Sequence, residues 1–121
     1  MNPEEFHAFC AAKPGVEASF PFNETTLVFK VMGKMFALGP LDANPFRINL
    51  KCDPERAVEL REEYPTILPG YHMNKQHWIT LVLDGSLPNA LVIDLINHSY
   101  ELIVSSLPKK KKEELDLLGS E

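Results

Sequence analysis

The residues best suited to do chemistry stand just before an alternating apolar segment in the second half of the chain. Lys75, His77 and Trp78 form a polar lead-in that contains the only tryptophan. An indole can stack on a nucleobase or a ligand ring while neighbouring cations meet phosphate groups. The same indole can instead cover the edge of a hydrophobic core. The sequence leaves both interpretations open, so these three residues are candidate contacts for DNA or a partner protein.

Three further cations occupy alternate positions of two strand-like segments. Lys30 lies in segment 25–31, and Arg47 and Lys51 lie in segment 46–52. Side chains at every second strand position share one face of a sheet, so cations on that face could meet an anionic partner. A row of this kind can equally be a solvated sheet face. Lys30, Arg47 and Lys51 therefore join the candidate contact residues.

Two histidines and a cysteine raise the question of metal or nucleophilic chemistry. His72, His77 and Cys52 could hold a metal ion if the fold brought them together, and either imidazole could serve the thiol as a base. The spacing supports neither role strongly, and no carboxylate pair lies nearby. Cys10 and Cys52 stand far apart in apolar contexts, which favours free buried thiols. We therefore predict no metal, no cofactor and no catalytic residue, which favours a non-enzymatic protein.

Two other polar stretches are better explained by local structure. Lys109 to Lys112 looks like a nucleic-acid arm, but the acidic residues that follow offset its charge, which favours a solvated helix end. The sequence Asp84-Gly85-Ser86 lacks the glycine spacing of a phosphate-binding loop. Its residue types are instead typical of a turn and a helix start.

Composition bounds the class of protein. The chain has 121 residues, 45% of them hydrophobic and 24% charged, as in ordinary globular domains. We predict one domain over residues 1–121, with a charged C-terminal tail at 108–121. No apolar run reaches the roughly 20 residues of a membrane span, and no signal-peptide pattern is evident, so we expect no membrane partner. The two isolated cysteines favour a reduced, cytoplasmic protein, and we expect a monomer. The net charge of −5 opposes loose binding to duplex nucleic acid.

Hydrophobic periodicity predicts three helices and four strands. The helices begin after Asn2, at Pro54 and after Pro88, and the last one carries a broad apolar stripe. The predicted strands cover 25–31, 35–38, 46–52 and 79–83. Segments 16–24 and 65–70 contain proline and show little periodicity, which favours loops. The predicted order is α-β-β-β-α-β-α.

This order predicts an α+β fold. Strands joined by short links pair antiparallel, and helices packed on one face complete a two-layer sandwich. The other face of the sheet then stays uncovered, with an indole open to water among positive groups. Alternation predicts these residues on the uncovered face: Thr26, Val28, Lys30, Arg47, Asn49, Lys51, Trp78 and Thr80.

Several short motifs occur in a recognisable order: Lys13-Pro14-Gly15, Asn74-Lys75-Gln76-His77-Trp78, Leu83-Asp84-Gly85-Ser86-Leu87-Pro88, and Ser99-Tyr100 ahead of Leu107-Pro108-Lys109. This set spans nearly the whole chain and resembles the MmcQ/YjbR family of small bacterial proteins. The resemblance implies a two-layer α/β fold described as CyaY-like or secretion-chaperone-like. It also implies a DNA-binding role through a double-wing arrangement, without an established reaction.

The first hypothesis for function is therefore DNA binding through the uncovered sheet face and its hairpin, as the resemblance implies. The second is a chaperone-like protein-interaction module that uses the same face or an exposed edge strand. The candidate contact residues for both are Lys30, Arg47, Lys51, Lys75, His77 and Trp78.

Overall fold

The computed structural model describes residues 1–70 and 73–119, which form four helices and one six-stranded sheet. The helices are α1 (Pro3–Ala11), α2 (Pro54–Glu63), α3 (Asn89–Ser105) and α4 (Lys109–Gly119). The strands are β1 (Val16–Ser19), β2 (Thr26–Val31), β3 (Lys34–Pro40), β4 (Phe46–Lys51), β5 (Ile67–Pro69) and β6 (Trp78–Leu83). Their order in the sheet is β1-β2-β3-β4-β6-β5, and all neighbouring pairs are antiparallel. The predicted α+β fold is confirmed.

The first two helices begin at the predicted caps. The Asn2 side chain accepts a hydrogen bond from the Glu5 N–H at 2.8 Å, and the Glu5 carboxylate accepts one from the Asn2 N–H at 3.1 Å. Asp53 caps α2 by accepting from the Arg56 N–H at 3.1 Å. Both caps satisfy amide groups that the first helical turn leaves without partners inside the helix.

Two segments that the sequence predicts as loops are edge strands, so that part of the prediction is wrong. In β1, Val16 pairs with Val31, and in β5, Ile67 pairs with Leu81. Both strands are short and mostly exposed, and β5 ends in a proline, so their local patterns are weak. Each adopts strand geometry because a long neighbouring strand supplies the hydrogen-bonding partner.

The predicted charged tail contains a helix that packs on the fold. In α4, Leu115 is buried in the main hydrophobic core, whereas the first three lysines of the helix are exposed. The solvated helix end that the sequence predicts for the lysine run is therefore confirmed. One lysine also makes a tertiary contact, since the Lys111 ammonium donates to the carbonyl of Met32 at 3.2 Å.

The main core lies between the helices and one face of the sheet. Helix α3 buries an apolar stripe that includes Val92, Leu95 and Ile96. These side chains meet the fully buried Leu50 and Ile79 of the sheet in one cluster. Full burial of each such side chain contributes on the order of 1.5–3 kcal/mol before ordering entropy is subtracted. Within the described ranges no helix, α3 included, is long and apolar enough to span a membrane.

A β-bulge and a buried serine join α3 to the sheet. The register between β2 and β3 shifts at Phe29 and Lys30, and both Phe36 and Ala37 lie in the main core. The hydroxyl of Ser99 on α3 donates to the Phe36 carbonyl and accepts from the Lys51 N–H at 2.9 Å. Because the bulge adds one residue to β3, the β3 residues on both sides of it face the same side of the sheet as their register partners in β2.

The start of α2 is tied to α3 by a second set of polar contacts. The Asp53 N–H donates to Nε2 of His98 at 3.2 Å, and Arg56 forms an ion pair with Asp94. Burial lowers the pKa of His98, and the charge of Arg56 lowers it further, although three nearby carboxylates oppose the shift. The neutral imidazole is the form that can accept the Asp53 hydrogen bond.

We predict that this junction loses stability in mild acid. Because the folded protein holds the pKa of His98 below its ordinary value of 6.5, the unfolded chain binds the proton first as the pH falls. The stabilising contribution is complete above that ordinary value and is lost as the pH falls through the lowered pKa of the folded state. Chemical denaturation is measured at about pH 7.5 and about pH 5.5. Between these two values the free energy of unfolding is expected to fall less in His98→Gln than in the parent protein. Equal losses in both proteins would assign the pH dependence to other groups.

Candidate docking surface on the open sheet face

The face of the sheet that points away from the helices is here called the open face. The main core cluster contains residues of all four helices and the side chains at alternate strand positions. A second, smaller cluster contains Val28, Leu38 and Trp78, with Met35 and Met73 packed against it. None of these five residues lies in a helix. The side-chain parity that the sequence predicts for Val28 and Trp78 is therefore confirmed.

Trp78 is buried, so the prediction that its indole is open to water is wrong. Its side chain is only 9% exposed, because the second cluster surrounds it. The chain also crosses close to it at Gly70, whose N–H donates to the Trp78 carbonyl at 2.8 Å. A Cβ atom at Gly70 would lie 2.6 Å from the Trp78 Cβ atom. The indole is consequently part of the packing and does not offer a stacking platform.

The predicted cations stand on the open face but divide into two groups. Lys51 is the register partner of Trp78, and Lys30 is the register partner of Met35. Arg47 lies four residues before Lys51 on the same strand, which places it about 13 Å away at the usual strand rise. Lys30 and Lys51 therefore lie at the same end of the sheet as the buried tryptophan, whereas Arg47 belongs to the opposite end.

The remaining predicted contacts lie at the same end of the sheet as Lys51. Lys75 and His77 are exposed in the connection that precedes β6. The carbonyl of His77 accepts a hydrogen bond from the Cys52 N–H at 2.8 Å, which holds this connection beside the end of β4. The tight turn between β2 and β3, in which Met32 and Gly33 both have positive φ, places the exposed Lys34 at this end as well.

The three residues Lys30, Lys51 and Lys75 are called the basic end of the open face. Lys34 stands at the same end of the sheet but on its helix side, because it is the register partner of the main-core residue Val31. The six strands together carry four basic residues and one acidic residue, Glu17, a net charge of +3. The whole chain has a net charge of −5. Glu17 is the register partner of Lys30 and offsets part of its charge. The fold thus separates positive charge on the sheet from negative charge on the helices and connections.

Both cysteines lie in the main hydrophobic core. Cys10 and Cys52 are free and buried, as predicted. Burial raises the pKa of the Cys52 thiol to about 11, against the opposing charge of Arg56, and raises that of Cys10 to about 12. His77 is exposed, while Cys52 belongs to the main core. His72 lies outside the described residues, and among those that are described no cluster of histidine, cysteine and carboxylate side chains is suited to a metal ion.

Two adjoining depressions occupy the other end of the open face. The larger has a volume of about 450 Å³ and is lined by Phe22, Asn23, Thr26, Leu38, Gly39, Pro40, Arg47, Asn49 and Met73. The smaller, of about 310 Å³, is lined by Arg47, Leu68, Pro69, Thr80 and Val82. Arg47 lines both. Phe22 and Met73 are not among the residues predicted from the sequence, although the run Phe20-Pro21-Phe22 in a polar segment is a signal for exposed aromatic rings.

Fold and surface together define a two-layer α+β protein that keeps one sheet face open. The chain belongs to the YjbR family, whose sequence model matches residues 11–102. It is 45% identical over 101 residues to the uncharacterized protein YbdF of Escherichia coli O157:H7, covering 83% of this chain and 82% of the relative. It is 36% identical over 113 residues to the uncharacterized protein YjbR of Escherichia coli strain K12, covering 93% and 96%.

Solved structures show the same architecture. A crystal structure of a Deinococcus radiodurans protein with domain DUF419 superposes with a TM-score of 0.91 at 40% identity, covering 95% of this chain and 88% of the other. A crystal structure of a Pseudomonas syringae protein gives a TM-score of 0.73 at 31% identity, covering 84% and 98%. The family resemblance seen in the short motifs is confirmed by these matches.

Proposed function

We propose that this protein binds duplex DNA through the basic end of the open face. The observation that carries the proposal is the separation of charge: on the open face the strands carry Lys30, Arg47 and Lys51 against Glu17, a net charge of +2, in a chain whose net charge is −5. A locally positive surface on an acidic protein attracts a polyanion to one side and repels it from the others. The role implied by the family resemblance points the same way.

The chemistry of this end favours contacts with phosphates over contacts with bases. Its charged groups are lysine ammonium groups, which act as point charges and meet single phosphate oxygens. Trp78, the ring that could have stacked on a base, is buried in the second cluster. Phosphate contacts position a protein on DNA but carry no sequence information directly. The proposed binding is therefore insensitive to sequence and strongly dependent on salt.

We expect the affinity for a fluorescently labelled DNA duplex to fall steeply as salt rises. If these three lysines each meet a phosphate, the logarithm of the association constant declines with the logarithm of salt concentration at a slope of about −3. The double variant Lys30→Gln, Lys51→Gln removes two of these contacts and is expected to bring the slope down to about −1. Fluorescence anisotropy from low to moderate salt measures both quantities.

A matched control separates local charge from net charge. Asn89→Asp with Ala90→Glu lowers the net charge by the same two units, but does so in the exposed first turn of α3, a turn that contains no acidic residue. This site follows the end of β6 that is remote from Trp78, so the control should bind DNA nearly as the parent protein does. Absence of binding at low salt, or equal weakening in both variants, would overturn the proposal.

A protein partner is the second candidate, and exposed apolar side chains favour it. Phe22 is 64% exposed beside the larger depression, and Leu68 is exposed beside the smaller one. Exposed aromatic groups with a neighbouring arginine are typical of interaction surfaces. The two candidates depend on different residues. A protein partner at the depressions requires Phe22 and Arg47, whereas DNA at the basic end requires Lys30 and Lys51.

A further inference from the structure

The larger depression on the open face has the dimensions of a small-molecule site. Its volume of about 450 Å³ lies within the range of about 300–1,000 Å³ that ligand pockets usually occupy. Phe22, Leu38, Pro40 and Met73 supply apolar walls. Polar groups lie among them, including Asn49 and the guanidinium of Arg47. A largely apolar lining with few polar groups is the usual composition of a site for an organic ligand.

Hydrogen bonds hold part of this lining in place. The side-chain oxygen of Asn23 accepts from the N–H groups of Thr25 and Thr26 at 2.9 and 2.7 Å, which fixes the turn that follows Phe22. The hydroxyl of Thr80 donates to the side-chain oxygen of Asn49 at 2.6 Å. This bond fixes the Asn49 amide against the neighbouring strand. This part of the lining is therefore ordered before a ligand arrives, which lowers the ordering cost of binding.

The charge of the lining specifies the class of ligand. Among the residues that the structure describes, Arg47 is the only charged side chain lining either depression. A guanidinium is planar, weakly hydrated and shaped to meet a carboxylate with two parallel hydrogen bonds. Its five N–H donors allow it to hold a protein group and a ligand group together. One fixed positive charge among apolar walls is complementary to a single negative charge on an apolar body.

We propose that the depression beside Arg47 binds a small organic monocarboxylate whose apolar body lies against Phe22, Leu38 and Met73. The carboxylate meets Arg47, which stands between the two depressions, and the apolar body fills the larger one. This site is separate from the basic end of the open face, because Arg47 lies about 13 Å along β4 from Lys51. It does not depend on DNA binding, and either proposal can fail alone.

The test compares an aromatic carboxylate with its uncharged analogue. Naphthoate and naphthamide are titrated into the full chain, and proton–nitrogen correlation NMR follows the backbone amide signals. Naphthoate is expected to shift the signals of Gly39, Asn49 and Thr80 saturably, and naphthamide to bind about tenfold more weakly, because only the carboxylate forms charge-assisted bonds. Arg47→Met should bind naphthoate no more tightly than naphthamide. Its NMR spectrum also shows whether the variant is folded.

Two further variants keep the test decisive. Lys51→Met removes one positive charge from the same strand and the same face, so it should retain the parent affinity for naphthoate. Phe22→Ser alters an exposed wall in a connection and should weaken both probes to a similar degree. Equal affinity for the two probes, unchanged binding in Arg47→Met, an equal loss in Lys51→Met, or no saturable shifts at these amides would each overturn the proposal.

Discussion

Replacing Trp78 with alanine is expected to lower the free energy of unfolding by about 3–5 kcal/mol. The indole is the largest member of the second cluster and packs with Val28, Leu38, Met35 and Met73. Its truncation removes these contacts and leaves a cavity on the open face, where none of the four described helices packs, so these helices cannot move in to fill the space. Urea denaturation followed by far-ultraviolet circular dichroism measures the loss, since the variant has no tryptophan to report by fluorescence.

Trp78→Phe is the control for this prediction. It keeps an aromatic ring in the cluster and is expected to lose about half as much stability or less. In the parent protein, the fluorescence of the single tryptophan should be typical of an indole shielded from water, and it should shift to longer wavelength only on unfolding. A loss of less than about 1 kcal/mol in Trp78→Ala would show that the ring is not packed as described.

The burial of Trp78 also affects how binding experiments on this protein are interpreted. A variant that loses several kcal/mol of stability can lose any partner through unfolding. Loss of DNA or protein binding in Trp78→Ala would therefore not identify a contact. Lys30, Arg47 and Lys51 are better positions for such experiments, because each projects from the open face and none belongs to either hydrophobic cluster.

Replacing Ser99 with alanine is expected to lower the free energy of unfolding by about 2–4 kcal/mol. The side chain is fully buried, and its hydroxyl serves two backbone groups on different strands, the carbonyl of Phe36 and the N–H of Lys51. Alanine removes the hydroxyl and leaves both groups without that partner. A buried backbone group without a hydrogen bond costs more than the hydrogen bond itself contributes. Chemical denaturation measures the change.

Ser105→Ala is a matched control on the same helix. Its exposed hydroxyl donates to the Leu102 carbonyl within α3, so its removal should change stability by no more than about 0.5 kcal/mol. Amide hydrogen exchange adds a local measurement, because the Lys51 amide should lose protection in Ser99→Ala and keep it in Ser105→Ala. Equal losses of stability in the two variants would contradict the bridging role of Ser99.

Long alternating segments were the best predicted part of the fold. In 46–51 apolar and polar residues alternate, and 78–83 is a short apolar strand with Thr80 as its one polar residue. The predicted facing of Arg47, Asn49, Lys51, Trp78 and Thr80 agrees with the structure. The caps at Asn2 and Asp53 were predictable for a similar reason, since a cap depends on residues no more than three positions apart. Local geometry decides these features, and the sequence displays it directly.

The edge strands and the depression at Arg47 could not be predicted in this way. Strand β1 exists because β2 lies beside it, and β5 exists because β6 does. The larger depression joins Phe22, Arg47 and Met73, which come from three separate parts of the chain. Such groupings depend on which segments the topology makes neighbours, and hydrophobic periodicity carries no information about that choice.

Alternation in the sequence was sufficient to assign Trp78 to the same sheet face as Lys51, because facing in a strand depends only on whether a position is odd or even. Whether that indole meets water was decided by tertiary structure. The chain returns at Gly70 to lie against the Trp78 backbone, and Met73 packs on the cluster around the ring. Burial depends on atoms contributed by other segments, and these contacts exist only once the sheet has formed.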